Sequence, residues 1–449
     1  MGKKLWGGRF EKKIDQDFDA FQKSIQYDYK LAEYDVMHSL IHIAALKEAG
    51  ILKLEEFSKL SKALKEIAEE IKAGHFKHDL SCEDIHSDIQ NRVEKKAGDL
   101  ALKLHTLRSR NDQVAFDERF YCFEKALDIF DGLISVEKSL LMVAEKEVDS
   151  YFIGYTHTKR AQALYFSDYL LAYAKMFERD FERIKNFCNA LFIYIGAGAL
   201  TGSCLEKRAY EEAIKSFKGK KIKVTELPLD QVSDRDFIIE FLSVLSIIQM
   251  HLSRMAEDLI LYSTSEFDFI DLPEEFCTGS SLMPHKKNPD LLELVRGNTG
   301  RIYGNLVSVL TTMKGLPLSY NRDMQLDKEP LFSSVETVQD ELMLMAKFIS
   351  GLELKKDNIA KALEDKTLYA TELAEWLVKE KKVPFKSAHD IVGGLIKLVE
   401  KKGGDFEDLS DEELRVVHPA LNHGVILKIM NPKYAVESKK TFIRKLPKE

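Results

Sequence analysis

Proline is scarce and unevenly placed in this chain of 449 residues. There are only 10 prolines, against an ordinary frequency of ~5%. None precedes Pro228, and five of the ten (Pro273, Pro284, Pro289, Pro317 and Pro330) fall in one stretch. Proline offers no backbone N–H and collides with the preceding helical turn, so long helices exclude it. A first half without proline therefore predicts long helices, because many short strands would need more turn punctuation. The expected fold class is all-α.

Other absences exclude functions. The five cysteines, Cys82, Cys122, Cys188, Cys204 and Cys277, are scattered and form no C-x-x-C pair. That excludes a disulfide framework and a zinc site of the usual spacing, and it fits a reducing cytoplasm. No metal-ligand spacing occurs and no glycine-rich phosphate loop opens a β-α unit, so neither metal nor cofactor is expected. No apolar run approaches the ~18 residues of a membrane span. The nearest, Ala190 to Leu200, is short and carries Gly196 and Gly198. The start, Met1-Gly-Lys-Lys-Leu-Trp, lacks the apolar core of a signal peptide. Lys and Arg number 66 against 73 Asp and Glu, a net charge of -7 without a strong basic block, so no nucleic-acid partner is expected. The reading is a cytoplasmic protein with no membrane contact.

What is present is helical periodicity and core material. Hydrophobic residues make up 45% of the chain and charged ones 31%, a globular balance. From Phe237 the apolar positions run Phe241, Val244, Ile248, Leu252, Met255, Leu259, Tyr262, in steps of three and four. Ile238, Leu242 and Leu245 widen that face. Ala126 to Val148 carries two such stripes. Helices of this length with broad apolar faces predict a long-helix bundle, in a monomer core or between subunits. Three helical domains are expected: 1–103, a central bundle at 104–355, and 356–449.

Dense polar clusters interrupt this grammar at four places. They are Glu83 to His86, Leu104 to Gln113, Gly154 to Gln162, and Thr278 to Pro289. The last is a glycine- and proline-bearing loop in which a Gly-Ser-Ser start offers backbone N–H donors. Lys286 and Asn288 add a charge and an amide, a set suited to a carboxylate. The second carries Arg108, Arg110 and Asn111, again suited to carboxylates.

Gly279-Ser-Ser-Leu-Met-Pro-His-Lys-Lys-Asn-Pro289 resembles the signature of the fumarase/aspartase superfamily of lyases. Leu5 to Phe10, Lys103 to Gln113, Gly196 to Leu200, Val232 to Phe237 and Tyr320 to Pro330 narrow the resemblance to argininosuccinate lyases. Such enzymes split argininosuccinate into arginine and fumarate, in arginine biosynthesis or the urea cycle. A proton leaves the carbon next to a carboxylate and the guanidinium departs from the adjacent carbon. The elimination needs a base, anion stabilisation for the aci-carboxylate, an acid for the leaving nitrogen, and clamps for the ends.

The resemblance implies Ser280 as base, aided by Lys286 and the amides of the Gly-Ser-Ser turn. It implies Lys286 and Asn288 as holders of the reacting carboxylate, and His157 as general acid paired with Glu293. It further implies substrate contacts at Ser24, Asp28, Asn111, Thr156, Tyr320, Gln325 and Lys328. Arg110 and Arg235 match charged positions around the site, and His86 a polar one. It implies no cofactor and no metal, and a homotetramer with a multi-helix core and active sites shared between subunits.

The pattern is departed from at Leu102, Leu107, Ile153, Lys159, Ala163 and Leu227-Pro228, none of them assigned to chemistry. Two alternatives stay open here. One is a sister enzyme of the adenylosuccinate lyase type, and the other is a non-catalytic structural protein like the lens delta-crystallins.

Overall fold

A computed structural model of the chain describes residues 12–217 and 221–441. The Leu5 to Phe10 segment lies outside the described residues, as does the tail beyond 441. The chain is 70% helical. Strands are short, the longest being β1 (Tyr151–Thr156) and β2 (Lys159–Tyr165).

Five long helices dominate: Arg110–Lys146, Phe166–Ala190, Asp236–Tyr262, Asp290–Met313 and Lys328–Ser350. The periodic stretch at 237–262 falls within the third of these, and that at 126–148 runs two residues past the end of the first. Every residue from Asp112 to Cys122 is buried, so the start of the 110–146 helix is enclosed on all sides. Shorter helices follow simpler rules. In the Leu54–Lys72 helix, Leu60, Ala63, Leu64 and Ile67 repeat at helical spacing, and these are buried together with Ser61. Asp84 caps the Ile85–Ala97 helix, its Oδ1 accepting from the Ser87 N–H at 2.8 Å.

By length and composition one described helix, Asp236–Tyr262, is apolar enough to cross a membrane. This corrects the choice of Ala190 to Leu200 as the nearest candidate. Phe237, Phe241, Leu242, Leu245, Ile248 and Leu252 on it are buried in the fold, as in a core helix.

The chain forms two compact units, each drawn from three segments. The first comprises 1–131, 180–249 and 298–340, and the second 132–179, 250–297 and 341–449. Within the second, the polar cluster at Gly154 to Gln162 is a β-hairpin rather than a helix joint. Phe152 on β1 packs edge-on against Phe166, Tyr262 and Phe269. The register shifts after Gly154, where an added Cβ would lie 2.6 Å from Leu164 Cδ2 and 3.1 Å from Gln162 O.

The two-residue turn between β1 and β2 is His157-Thr158, with φ of 52° and 59°. Positive φ at both centres is the type I′ geometry that suits a twisted hairpin, and it ordinarily selects Asn-Gly. A β-branched threonine there is strained. Its Oγ1–H donates to the His157 carbonyl at 2.6 Å. Thr158→Asn should relieve about 1 kcal/mol of that strain and raise the thermal midpoint, measured by circular dichroism. An unchanged or lower midpoint would mean that the hydroxyl contact outweighs the backbone cost.

Candidate active site

The residues singled out by sequence divide between the two units. Ser280, Lys286, Asn288, Glu293, Thr156 and His157 belong to the second, and Ser24, Asp28, His86, Asn111, Arg235, Tyr320, Gln325 and Lys328 to the first.

In the second unit the Gly279 to Lys287 loop is closed at its neck by backbone pairing. Asn288 N–H donates to Thr278 O at 2.7 Å, and Thr278 N–H donates to Asn288 O at 3.2 Å. Thr278 Oγ1–H then reaches Asp290 Oδ2 at 2.5 Å, tying the neck to the first turn of the 290–313 helix. Inside the loop, Ser280 Oγ accepts from the backbone N–H of Leu282 at 3.2 Å and of Met283 at 3.0 Å. These donors lie beyond the Gly-Ser-Ser amides expected from the sequence, because the chain turns back over the serine before Pro284. Asn288 Nδ2 donates to Gly279 O at 3.4 Å, a loop-internal bond.

The loop is exposed, and Leu282 shows 84% of its surface. Lys286 makes no ion pair among the described residues. His157 sits exposed at the hairpin tip, with Thr156 at the end of β1 beside it. Among the described residues, no hydrogen bond or ion pair joins His157 to Ser280, Lys286 or Glu293. The single chain therefore presents the catalytic candidates without closing them on one another.

The first unit gathers the clamp candidates around the 22–28 segment. Ser24 Oγ–H donates to Asp28 Oδ2 at 2.6 Å, and Asp28 Oδ1 accepts from Ile85 N–H at 3.1 Å. Burial, with Asp84 beside it, pushes the Asp28 carboxyl up to about 6. Gln325 Nε2 and Arg322 Nη2 both donate to Gln22 O, at 3.1 and 2.8 Å. Burial raises the Tyr320 phenol against the opposing pull of Lys328, Arg322 and Arg235. Arg235 and Lys328 are almost wholly buried and lie between Glu118 and Asp327, contacts that sequence reasoning did not foresee. The available signal was a pair of acids, Asp117 and Glu118, set between Phe116 and Phe120 on a helix.

His86 is also enclosed. Its Nδ1 lies 2.9 Å from Asp35 Oδ1 and 3.6 Å from Asp117 Oδ2, and Gln113 Nε2 donates to the same Asp35 oxygen at 2.7 Å. Burial, reinforced by Asp35, raises the Asp117 carboxyl well above the carboxylate range. These three side chains are close enough to hold a metal ion. The His86–Asp35 hydrogen bond already engages one atom of each, and burial with the Asp35 charge favours the protonated form of Asp117, a poor metal ligand.

Arg110 is bound to Asp84, Nε to Oδ2 at 2.8 Å and Nη2 to Oδ1 at 3.0 Å. Asn111 Nδ2 donates to Ala199 O at 3.0 Å, joining it to the Gly196 to Leu200 loop. Asp112 holds the same loop, its oxygens accepting from Gly196 and Ala197 N–H at 3.0 and 3.2 Å. Gly198 is required there, since an added Cβ would meet Gly202 O at 2.3 Å.

A protein-family model described as Lyase matches residues 8–304, and one described as argininosuccinate lyase C-terminal matches 367–437. The argininosuccinate lyase of Caldanaerobacter subterraneus subsp. tengcongensis is 45% identical over 414 residues, 92% of this chain and 92% of the relative. That of Thermoanaerobacter sp. strain X514 is 42% identical over 440 residues, 98% of each. Among solved structures, EDDS lyase in complex with formate superposes with a TM-score of 0.79 at 22% identity, covering 94% of this chain and 84% of that one. Class II fumarase from Schistosoma mansoni gives 0.75 at 16% identity, covering 93% of each chain. These two likenesses establish the fold.

The Asp28 carboxyl has a measurable consequence. Its folded value of about 6 lies above the ordinary 3.8, so the folded chain binds the proton more tightly than the unfolded one. Its contribution to stability is therefore greatest below about pH 4 and is lost as pH rises to about 6. Asp28→Asn should remove that loss, on the order of 2–3 kcal/mol, and raise the thermal midpoint at pH 7 relative to pH 4. An unaltered pH dependence in the variant would place the titration elsewhere.

Proposed function

Because the chain belongs to the argininosuccinate lyase family, we propose for its own residues the roles that would carry out the family's elimination. The activity is the reversible cleavage of argininosuccinate to arginine and fumarate. Identities of 42–45% across most of the chain, with a matching C-terminal family model, favour this over a sister lyase.

The observation that carries the assignment of the base is the pair of N–H groups aimed at Ser280 Oγ. A serine hydroxyl is far too weak an acid to serve unaided. Two backbone donors already in place stabilise the alkoxide without reorganisation, and a charge-assisted hydrogen bond is roughly twice as strong as a neutral one. The Ser280 alkoxide removes the proton from the carbon next to the carboxylate. The electron pair moves towards that carboxylate, where Lys286 and Asn288 hold the developing aci-carboxylate. The C–N bond then breaks and His157 delivers a proton to the departing guanidinium nitrogen, with Glu293 orienting the imidazole in the assembled enzyme. Ser24, Asp28, Asn111, Thr156, Tyr320, Gln325 and Lys328 clamp the ends of the substrate, and His86, Arg110 and Arg235 shape the surrounding charge.

The assembly we propose is a homotetramer with each site shared between subunits. The 290–313 helix supports it. Leu294, Val307 and Leu310 are exposed on it alongside Gly297, Gly300 and Gly304, an apolar face with small residues that admits another helix closely. The separation of His157 from Glu293 within one chain supports it too. We also propose a cytoplasmic place in arginine biosynthesis, and a three-part domain division near residues 103 and 355.

Purified protein supplied with argininosuccinate should release fumarate, followed by its ultraviolet absorbance, and should leave adenylosuccinate intact. Ser280→Ala should bind argininosuccinate while kcat falls by about 10²–10⁴-fold. Near-normal turnover would remove Ser280 as base. Mixing Ser280→Ala with His157→Asn should restore part of the activity, whereas none after verified subunit exchange would disprove shared sites.

A further inference from the structure

Two carboxylates and two cations close a ring inside the first unit. Glu118 lies 2.8 Å by Oε2 from Arg235 Nε and 2.5 Å by Oε1 from Lys328 Nζ. Asp327 repeats the arrangement, Oδ2 at 2.9 Å from Arg235 Nε and Oδ1 at 3.1 Å from Lys328 Nζ. Each acid thus gives one oxygen to each cation, and side-chain exposure is 0% for Arg235, Glu118 and Asp327 and 4% for Lys328.

We propose that Glu118 and Asp327 are positioning residues for the elimination, holding the Lys328 ammonium between two carboxylates so that it faces a substrate carboxylate. This rests on the reading of Lys328 as a substrate clamp. Stability is a poor reason for such a ring, because buried ion pairs seldom outperform well-packed apolar residues of similar volume. The placement of the cations is also costly. Lys328 opens the 328–350 helix and Arg235 directly precedes the 236–262 helix, both at ends where the helix dipole disfavours positive charge. A cation kept there against burial and dipole together needs acids fixed around it.

Glu118 comes from the 110–146 helix and Asp327 from the turn before Lys328, so the ammonium is held from two elements. Burial alone would depress the Lys328 ammonium, but Asp327 and Glu118 outweigh it and hold its proton above the ordinary lysine value. The other titratable groups that feel the Lys328 charge are Tyr27, Asp28 and Tyr320. Gln325 bonds to Tyr27. Asp28, Tyr320 and Gln325 among these are residues already proposed to contact substrate.

The test is steady-state kinetics of argininosuccinate cleavage by wild type, Glu118→Gln, Lys328→Met and the double variant, from about pH 7 to about pH 9.5. Glu118→Gln keeps the shape but leaves the two cations with one acid, so Lys328 loses its proton more readily. KM should rise about tenfold or more with kcat little changed, and the rise should grow with pH while wild type stays flat. The double variant should be no worse than Lys328→Met alone. A KM in Glu118→Gln equal to or below wild type, or fully additive losses in the double variant, would overturn the proposal. If Glu118→Gln does not fold by circular dichroism, Asp327→Asn is read by the same criteria. Wild type without activity would defeat the lyase reading itself. An unaffected KM in Lys328→Met would defeat only the clamp role of Lys328 and the positioning built on it.

Discussion

A guanidinium and an ammonium shut away from water stay charged only if carboxylates reach both, and in this chain that requirement draws three long helices to one point. Glu118 comes from the 110–146 helix, Arg235 stands at the head of the 236–262 helix, and Lys328 opens the 328–350 helix. Moving any of these helices by a fraction of a turn would strand a charge in the core, at a cost of several kcal/mol. Apolar side chains on the same three helices, Phe116, Phe120, Phe237 and Phe332 among them, are buried too. Apolar packing of this kind tolerates rearrangement. A closed ring of ion pairs does not.

The same logic extends outward through polar contacts. Arg110 and Asp84 join the 110–146 helix to the cap of the 85–97 helix, and Asp84 raises Asp28 through the space between them. Asn111 and Asp112, the two residues after Arg110, pin the Gly196 to Leu200 loop. The Lys103 to Gln113 segment is thus largely engaged in fixing neighbouring elements. Arg108 donates to Ser39 Oγ at 2.9 Å and lies 3.2 Å from His38 Nδ1, both within the fold. Arg108, which in the sequence looks suited to a carboxylate, here holds the scaffold.

The second unit follows another principle. Its reactive candidates are placed by backbone geometry, in exposed positions. The Thr278–Asn288 pairing closes the loop, the turn over Ser280 brings two N–H groups to its hydroxyl, and the strained His157-Thr158 turn sets the imidazole at a hairpin tip. Exposure of Leu282 and Leu294 in this unit agrees with the proposed tetramer, in which other copies would cover these surfaces. Under the proposed roles, the buried groups of the first unit would bind and the exposed loop of the second would carry the chemistry.

The sequence by itself determined the helical class, because proline scarcity and three-to-four spacing are local properties of a chain. It also determined which family the chain belongs to and where the candidate reactive loop lies, since Gly279 to Pro289 carries its polar groups in nearly consecutive residues. It did not foretell the hairpin at Tyr151 to Tyr165, whose turn uses His-Thr where Asn-Gly would be the signal. Nor did it reveal that Leu282 and Met283 supply the amides at Ser280, because the direction of an N–H depends on backbone angles that side-chain identity leaves open. The tertiary structure alone decided that Glu118 and Asp327 meet Arg235 and Lys328. Periodicity tells which face of a helix is buried, but the partner on that face is chosen only when distant helices pack.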